Sequence, residues 1–135
     1  MKLMNGTPPI PAYYAARPGL GIIRQVGVEN IRSHSRRMTA RLMERADELR
    51  FTFTASRDPE RVAGTVAVDV PNARFVARAL KRKNFLVDYR VRAGIRVSAH
   101  FYNTIEEVDA TMDEMARIVR DRDYDATEGA DSVVT

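Results

Sequence analysis

Ile31, Ser35, Met38, Leu42, Ala46 and Leu49 recur at spacings of three and four, which lines up one largely apolar stripe. A period near 3.6 predicts a long amphipathic helix from about Val28 to Leu49. Upstream, Thr7, Pro8, Pro9 and Pro11 suit a first helical turn, and Ala12, Tyr13, Ala15 and Ala16 continue it. Pro18 and Gly19 then interrupt the pattern before Leu20, Ile22, Ile23 and Val26 resume it, so a kink or break is expected there. Gly27 ends the segment.

Beyond Leu49 the period shortens to two. Phe51 to Ala55 alternates aromatic and threonine side chains, as a half-buried strand does, and Asp58-Pro59 signals a turn. A second strand is predicted from Gly64 to Val70 with Val66, Val68 and Val70 on one face. Asn72 is placed to cap a helix carrying Phe75, Val76, Ala79 and Leu80 inward, and Asn84 to end it in the left-handed conformation. Two short strands, Phe85 to Tyr89 and Ile95 to Ala99, flank a turn at Arg92 to Gly94. Thr104-Ile105-Glu106-Glu107 is a capping box opening a helix that buries Ile105, Val108, Met112, Met115 and Val119.

The order helix, helix, strand, strand, helix, strand, strand, helix predicts an α+β fold, a small antiparallel-rich sheet with helices packed on one face. A chain of 135 residues with 44% hydrophobic and 30% charged positions suits a single core. The domain is expected over 1–123, with 7–26 as a lead-in helix region and 124–135 as a disordered tail.

Composition narrows the chemistry. There is no cysteine, which excludes disulfides, thiolate zinc ligands and a cysteine nucleophile. No run approaches the roughly 20 apolar residues of a membrane span, and the start of the chain lacks a secretory apolar stretch, so a cytoplasmic protein with no membrane partner is expected. A net charge of +4 and a pI near 9.8 raise nucleic acid as a partner. The arginines at 32, 36, 37, 41, 45 and 50, however, are mixed with Glu29, Glu44, Asp47 and Glu48, the pattern of a solvated helix face. Lys81, Arg82 and Lys83 close a predicted helix, where the dipole favours cations, and no aromatic stacking platform accompanies the basic residues. Nucleic acid is therefore not an expected partner.

A self-contained catalytic group is also missing from the pattern. His34 lies among charged residues as a boundary histidine does, and two histidines without cysteine leave no supported zinc spacing. Pro18-Gly19-Leu20-Gly21 follows no strand and precedes no Gly-Lys-Ser/Thr, so it is no phosphate loop. Arg96 stands apart: it sits mid-strand between Ile95 and Val97. Burying a guanidinium stem is costly unless an anion meets it, so Arg96 is either paired within the protein or set to hold an anionic ligand.

The stretch Gly94-Ile95-Arg96-Val97-Ser98-Ala99-His100-Phe101-Tyr102-Asn103-Thr104, followed by Glu106, Glu107, Val108 and Asp109, resembles the closing motif of class V aminotransferases, kynureninases and related isopenicillin N epimerase-like enzymes. The opening Gly6-Thr7-Pro8-Pro9-Ile10-Pro11-Ala12, with Tyr14, Ala15, Ala16, Gly19 and the Val26-Gly27-Val28-Glu29-Ile31-Arg32 segment, is similar to the stretch leading into the small domain of the same family. The two motifs together cover about residues 5 to 120 in the family's order. The resemblance implies the C-terminal domain of a fold-type I pyridoxal-phosphate enzyme. It implies that Arg96 grips the α-carboxylate of an amino-acid substrate. It implies also that Thr7, assisted by the backbone of Gly6, contacts the cofactor phosphate of a neighbouring subunit. Its implied partners are a cofactor-binding large domain and a second subunit in a homo-oligomer. The resemblance assigns no role to Arg90 or His100; for His100, a strand-end residue held by hydrogen bonds is an equal reading.

Family catalysis needs a Schiff-base lysine and an aspartate at the pyridine nitrogen, both expected in the large domain. Lys2, Lys81 and Lys83 are the lysines here, none in a cofactor-lysine context. The expectation is a chain that by itself holds no pyridoxal phosphate stably and turns over no amino acid. The alternative is a stand-alone, non-catalytic interaction or dimerisation module derived from that domain.

Overall fold

The computed structural model describes residues 6–7 and 9–126. The chain divides into two compact units, Met1–Ser33 and His34–Thr135. In the first, α1 (Ile10–Val26) runs without interruption through Pro18 and buries none of its side chains. The expected break at Pro18-Gly19 is thus corrected. Proline forfeits a single backbone bond, and the remaining ladder of a seventeen-residue helix carries the turn. Gly27, at φ 87°, ends α1 by donating its N–H to the Ile23 carbonyl at 2.9 Å, and α2 (Val28–Glu48) starts at once.

The second unit takes in α2 from His34 onward, β1 (Thr52–Thr54), β2 (Thr65–Asp69), α3 (Ala73–Arg82), β3 (Asp88–Arg90), β4 (Gly94–Ser98) and α4 (Ile105–Asp121). The strands form one open sheet in the order β1-β2-β4-β3, antiparallel throughout. Val66 stands opposite Val97, and Val68 stands opposite both Ile95 and Phe53, so these side chains share one face. Onto that face pack Met38, Leu42 and Ala46 of α2, Val76 and Leu80 of α3, and Val108, Met112, Met115 and Ile118 of α4. Each large side chain buried this way contributes about 1.5–3 kcal/mol. The α+β architecture is the one the sequence predicts.

The other face is polar. Thr52, Thr54, Thr65, Asp69, Asp88, Arg90, Arg96 and Ser98 point there by alternation, with Ala67 among them. Thr65 Oγ1 and Ser98 Oγ meet across the strands at 2.8 Å.

Several local readings change. Asn72 is itself left-handed, at φ 59°, and its side chain makes no cap bond; it donates instead to the Tyr124 hydroxyl at 2.8 Å. A cap needs an extended N-cap residue to aim its side chain at the free amides, and Asn72 lacks that conformation. Tyr124, where the tail was expected to begin, also stacks on Phe75 at 6.3 Å between ring centroids. The remainder of that expected tail, from 127 on, lies outside the described residues. In α4 the fully buried fourth residue is Ile118, while Val119 is only partly buried. Asn84 is left-handed, at φ 66°, and both bonds of the Thr104–Glu107 capping box are present.

An ionic ladder joins α2 to α4. The Arg41 guanidinium grips Asp109 with both prongs, Nε–Oδ1 at 2.7 Å and Nη2–Oδ2 at 3.1 Å, and Arg45 meets Asp113 and Glu48. Hydrogen bonding from Arg41 holds the Asp109 carboxyl below the usual carboxylate range. A depressed folded-state value stabilises the fold above the unfolded pKa, and the benefit fades as pH falls through the folded one. Urea midpoints should therefore drop as pH is lowered from about 5 toward 2, and more shallowly in Asp109→Asn.

Gly94, at φ 95°, packs so closely that an added Cβ would lie 2.3 Å from the Val68 carbonyl oxygen. Gly94→Ala should cost about 3 kcal/mol, combining left-handed strain with overpacking. The measurement is the urea midpoint at unchanged m; a loss below about 1 kcal/mol contradicts the close approach.

Candidate functional site

The hairpin register sets Asp88 directly across from Arg96 on one side, and Ala67 across from it on the other. All three rise from the polar face. Ala67 offers only a methyl group, which leaves room for the arginine stem above β2. Arg96 Nη2 donates to Asp88 Oδ2 at 2.5 Å, and Arg90 Nε forms an ion pair with the same oxygen at 2.9 Å. The hydrogen bond from Arg96, opposed by burial and aided by the charge of Arg90, holds the Asp88 carboxyl below its ordinary range.

The internal pairing that the sequence left open is thus present, yet it does not use up the guanidinium. Arg96 Nε is buried and finds no hydrogen-bond partner, although the side chain as a whole is 41% exposed. A buried N–H left unpaired costs free energy, so such groups call for an explanation. The guanidinium borders an open cavity of about 310 Å³ lined by Lys81, Leu86, Val87, Asp88, Arg96 and Ser98. An arginine there can present two parallel N–H bonds to a carboxylate, which a lysine cannot.

The segment after β4 lines a different cavity, of about 490 Å³, to which His100, Tyr102, Asn103 and Glu107 contribute. Asn103 Oδ1 accepts the His100 N–H at 2.9 Å, its amide nitrogen donates to Glu107 Oε2 at 3.0 Å, and its carbonyl meets His34 Nε2 at 3.0 Å. Asn103 therefore does more than enter a helix: it links β4, α4 and α2. His100 stacks on Tyr102 with centroids 5.2 Å apart. Hydrogen bonding from Asn103 and then from Thr104 keeps the Glu107 carboxyl below its usual range. His34 is part-buried, as a boundary histidine should be.

Gly6 and Thr7 belong to the first unit, where both are exposed just before α1, and Gly6 takes φ 93°. Pro8 between them and the helix lies outside the described residues. The sequence alone does not single out Asp88 as a partner: counting outward from the expected turn at Arg92 to Gly94 sets Arg90 opposite Arg96, whereas the turn lies one residue earlier, at Val91 to Ala93, and brings Asp88 there instead.

The described lysines do not fit an aldehyde cofactor. Lys83 pairs with Glu114 at 3.5 Å and Asp123 at 3.3 Å, and Lys81 is exposed at the end of α3, whereas a Schiff-base amine needs a desolvated pocket. No covalent step is therefore assigned to them. No helix among the described residues is long and apolar enough to cross a membrane.

A helix-backed antiparallel sheet with an arginine on its open face defines a small α+β domain. The kynureninase C-terminal domain family matches residues 31–115, a span that includes Arg96 and leaves out Gly6 and Thr7, and the chain belongs to that family. An uncharacterized aminotransferase of Bacillus subtilis (strain 168) is 32% identical over 115 residues, 85% of this chain and 30% of the relative. A kynureninase of Bacillus cereus (strain ATCC 10987 / NRS 248) is 25% identical over 134 residues, 96% of this chain and 31% of its own length. Among solved structures, the apo cysteine desulfurase from Thermococcus onnurineus NA1 superposes with a TM-score of 0.79 at 25% identity, over 87% of this chain and 33% of that one. Alanine–glyoxylate aminotransferase from Nostoc sp., at 23% identity and a TM-score of 0.65 over 87% of this chain and 33% of that chain, shares the fold. The chain spans about a third of the length of these relatives.

In a carbon-detected NMR titration, the Asp88 carboxyl should turn over below the ordinary aspartate range, and Arg96→Gln should move it upward. Identical titrations in the two proteins would rule out the pairing.

Proposed function

We propose that this chain supplies the carboxylate-binding side of an active site in a pyridoxal-phosphate enzyme acting on an α-amino acid, with Arg96 as the anchor. The observation that carries this reading is the half-exposed guanidinium on the open sheet face, inside the span matched by the family. A two-pronged, permanently charged donor suits an acid group, and the relatives named as aminotransferase and kynureninase carry the same domain in longer chains. The cofactor, its Schiff-base lysine and the residue at its pyridine nitrogen come in this reading from a large domain, and this chain alone turns over nothing.

Gly6 and Thr7 are the proposed contacts to the cofactor phosphate of a neighbouring subunit. In support, they stand just ahead of the N-terminus of α1, where the helix dipole favours an anion. The second-subunit reading gains support from Ile10, Tyr13, Tyr14, Leu20, Ile22 and Ile23, which are all exposed on α1. Light scattering over a concentration series should show self-association, weakened by Leu20→Glu with Ile23→Glu. A strict monomer at high concentration overturns the oligomer.

The anchor is tested on the chain itself. Titration with sodium acetate against sodium chloride at constant ionic strength should shift the backbone amide resonances of Val87 and Ser98, which line the cavity, with a Kd of roughly 0.2 M, as an exposed ion pair of about 1 kcal/mol allows. Arg96→Gln should abolish acetate binding, and Arg96→Lys should weaken it. Equal binding in wild type and Arg96→Gln rules the anchor out.

A further inference from the structure

We infer that Asp88 and Arg90 form a neutral brace that positions the Arg96 guanidinium for a carboxylate, so that Asp88 strengthens anion binding although it is itself an anion. The inference rests on the reading of Arg96 as the carboxylate anchor. Three observations lead to it. Asp88 faces Arg96 across the β3–β4 ladder, which places its carboxylate beside the guanidinium without any search through loop conformations. One oxygen, Asp88 Oδ2, accepts a hydrogen bond from Arg96 Nη2 at 2.5 Å and forms an ion pair with Arg90 Nε at 2.9 Å. The Arg96 Nε, by contrast, has no partner and lies at the buried root of the guanidinium.

The charge balance decides what such an arrangement does. A lone aspartate beside Arg96 would cancel its charge and compete with an incoming acid group. Two arginines sharing one carboxylate leave a net positive charge, and Lys81 on the same cavity adds to it. Arg90 thus offsets Asp88, and Arg96 keeps its full attraction for an anion. What Asp88 adds is order. An arginine side chain gives up several rotatable bonds when it grips a ligand, and one already held by its Nη2 has less left to lose. The geometry favours a compact monoanionic acid group, because one nitrogen of the fork is already engaged.

Simple electrostatics predicts the opposite sign, so the test separates the two. Acetate affinity is measured from the backbone amide resonances of Val87 and Ser98, which line the cavity in every variant, in the wild-type chain, Asp88→Asn, the double variant Asp88→Asn with Arg90→Gln, and Arg96→Gln. Asp88→Asn should weaken acetate roughly fivefold despite removing a negative charge, and should broaden the Arg96 side-chain signal as its rotamers exchange. The double variant leaves the net charge of the face unchanged and should weaken binding too. Backbone amide spectra confirm the fold; if asparagine disturbs it, Asp88→Thr, which suits a strand, takes its place. Equal or tighter binding in Asp88→Asn, or wild-type affinity in the double variant, overturns the brace while leaving the anchor intact. Equal binding by Arg96→Gln overturns the anchor and the brace with it.

Discussion

The pairing of β2 with β4 decides which side chains meet the helices and which meet the outside. Because side chains alternate along a strand, slipping β4 by one residue would exchange Ile95 and Val97 for Arg96 on the core face. That slip would bury a guanidinium against Leu80, Met112 and Met115, a desolvation no nearby acid there could offset. Gly94 guards the register at the start of β4. Its lack of a Cβ lets the backbone close onto the Val68 carbonyl, and its positive φ turns the chain out of the hairpin. The apolar core and the polar face are therefore two consequences of one alignment.

Where burial sets the period, the sequence was readable. The α2 stripe, the Val66–Val68–Val70 alternation and the Thr104 capping box appear in the structure at the residues that predicted them. Misreadings fall where a local rule was overruled by a longer-range contact. Asn72 has the composition of a cap, but Tyr124, fifty-two residues away, takes its side-chain amide. Tyr124 in turn resembles a tail residue until Phe75 supplies a ring to stack on. Ile118 and Val119 are both apolar and one residue apart, so only the direction from which the sheet and α3 approach α4 chooses between them. The site was half legible: Arg96 was conspicuous as a charge inside an apolar strand, whereas Asp88 looked like one more acidic residue until the hairpin register paired them.

The basic character of the chain looks different once the pairs are visible. Arg41, Arg45, Arg57, Arg117 and Arg120 each meet carboxylates, mostly within or between helices. Surface pairs of this kind contribute little individually, about 0–1 kcal/mol, but they commit these five guanidiniums to neighbours within the fold. The positive excess beside Arg96 is of another kind, since three cations share a single acid at the edge of a cavity.

An arginine on an open sheet face is a weak anion site by itself, and the reason is dielectric. At 4 Å an ion pair is worth about 1 kcal/mol in water and about 4 kcal/mol at an effective dielectric of 20. Covering the polar face with another protein surface would move Arg96 from the first regime toward the second. The exposed guanidinium and the orphaned Nε are then two sides of one incomplete pocket: the first offers charge that water still screens, the second a donor that water cannot reach. Relatives some three times as long have the additional chain such a cover requires. The same argument explains why a brace is useful before the cover arrives. A guanidinium fixed in direction by Asp88 and Arg90 needs only to be desolvated, whereas a mobile one would have to be ordered and desolvated together.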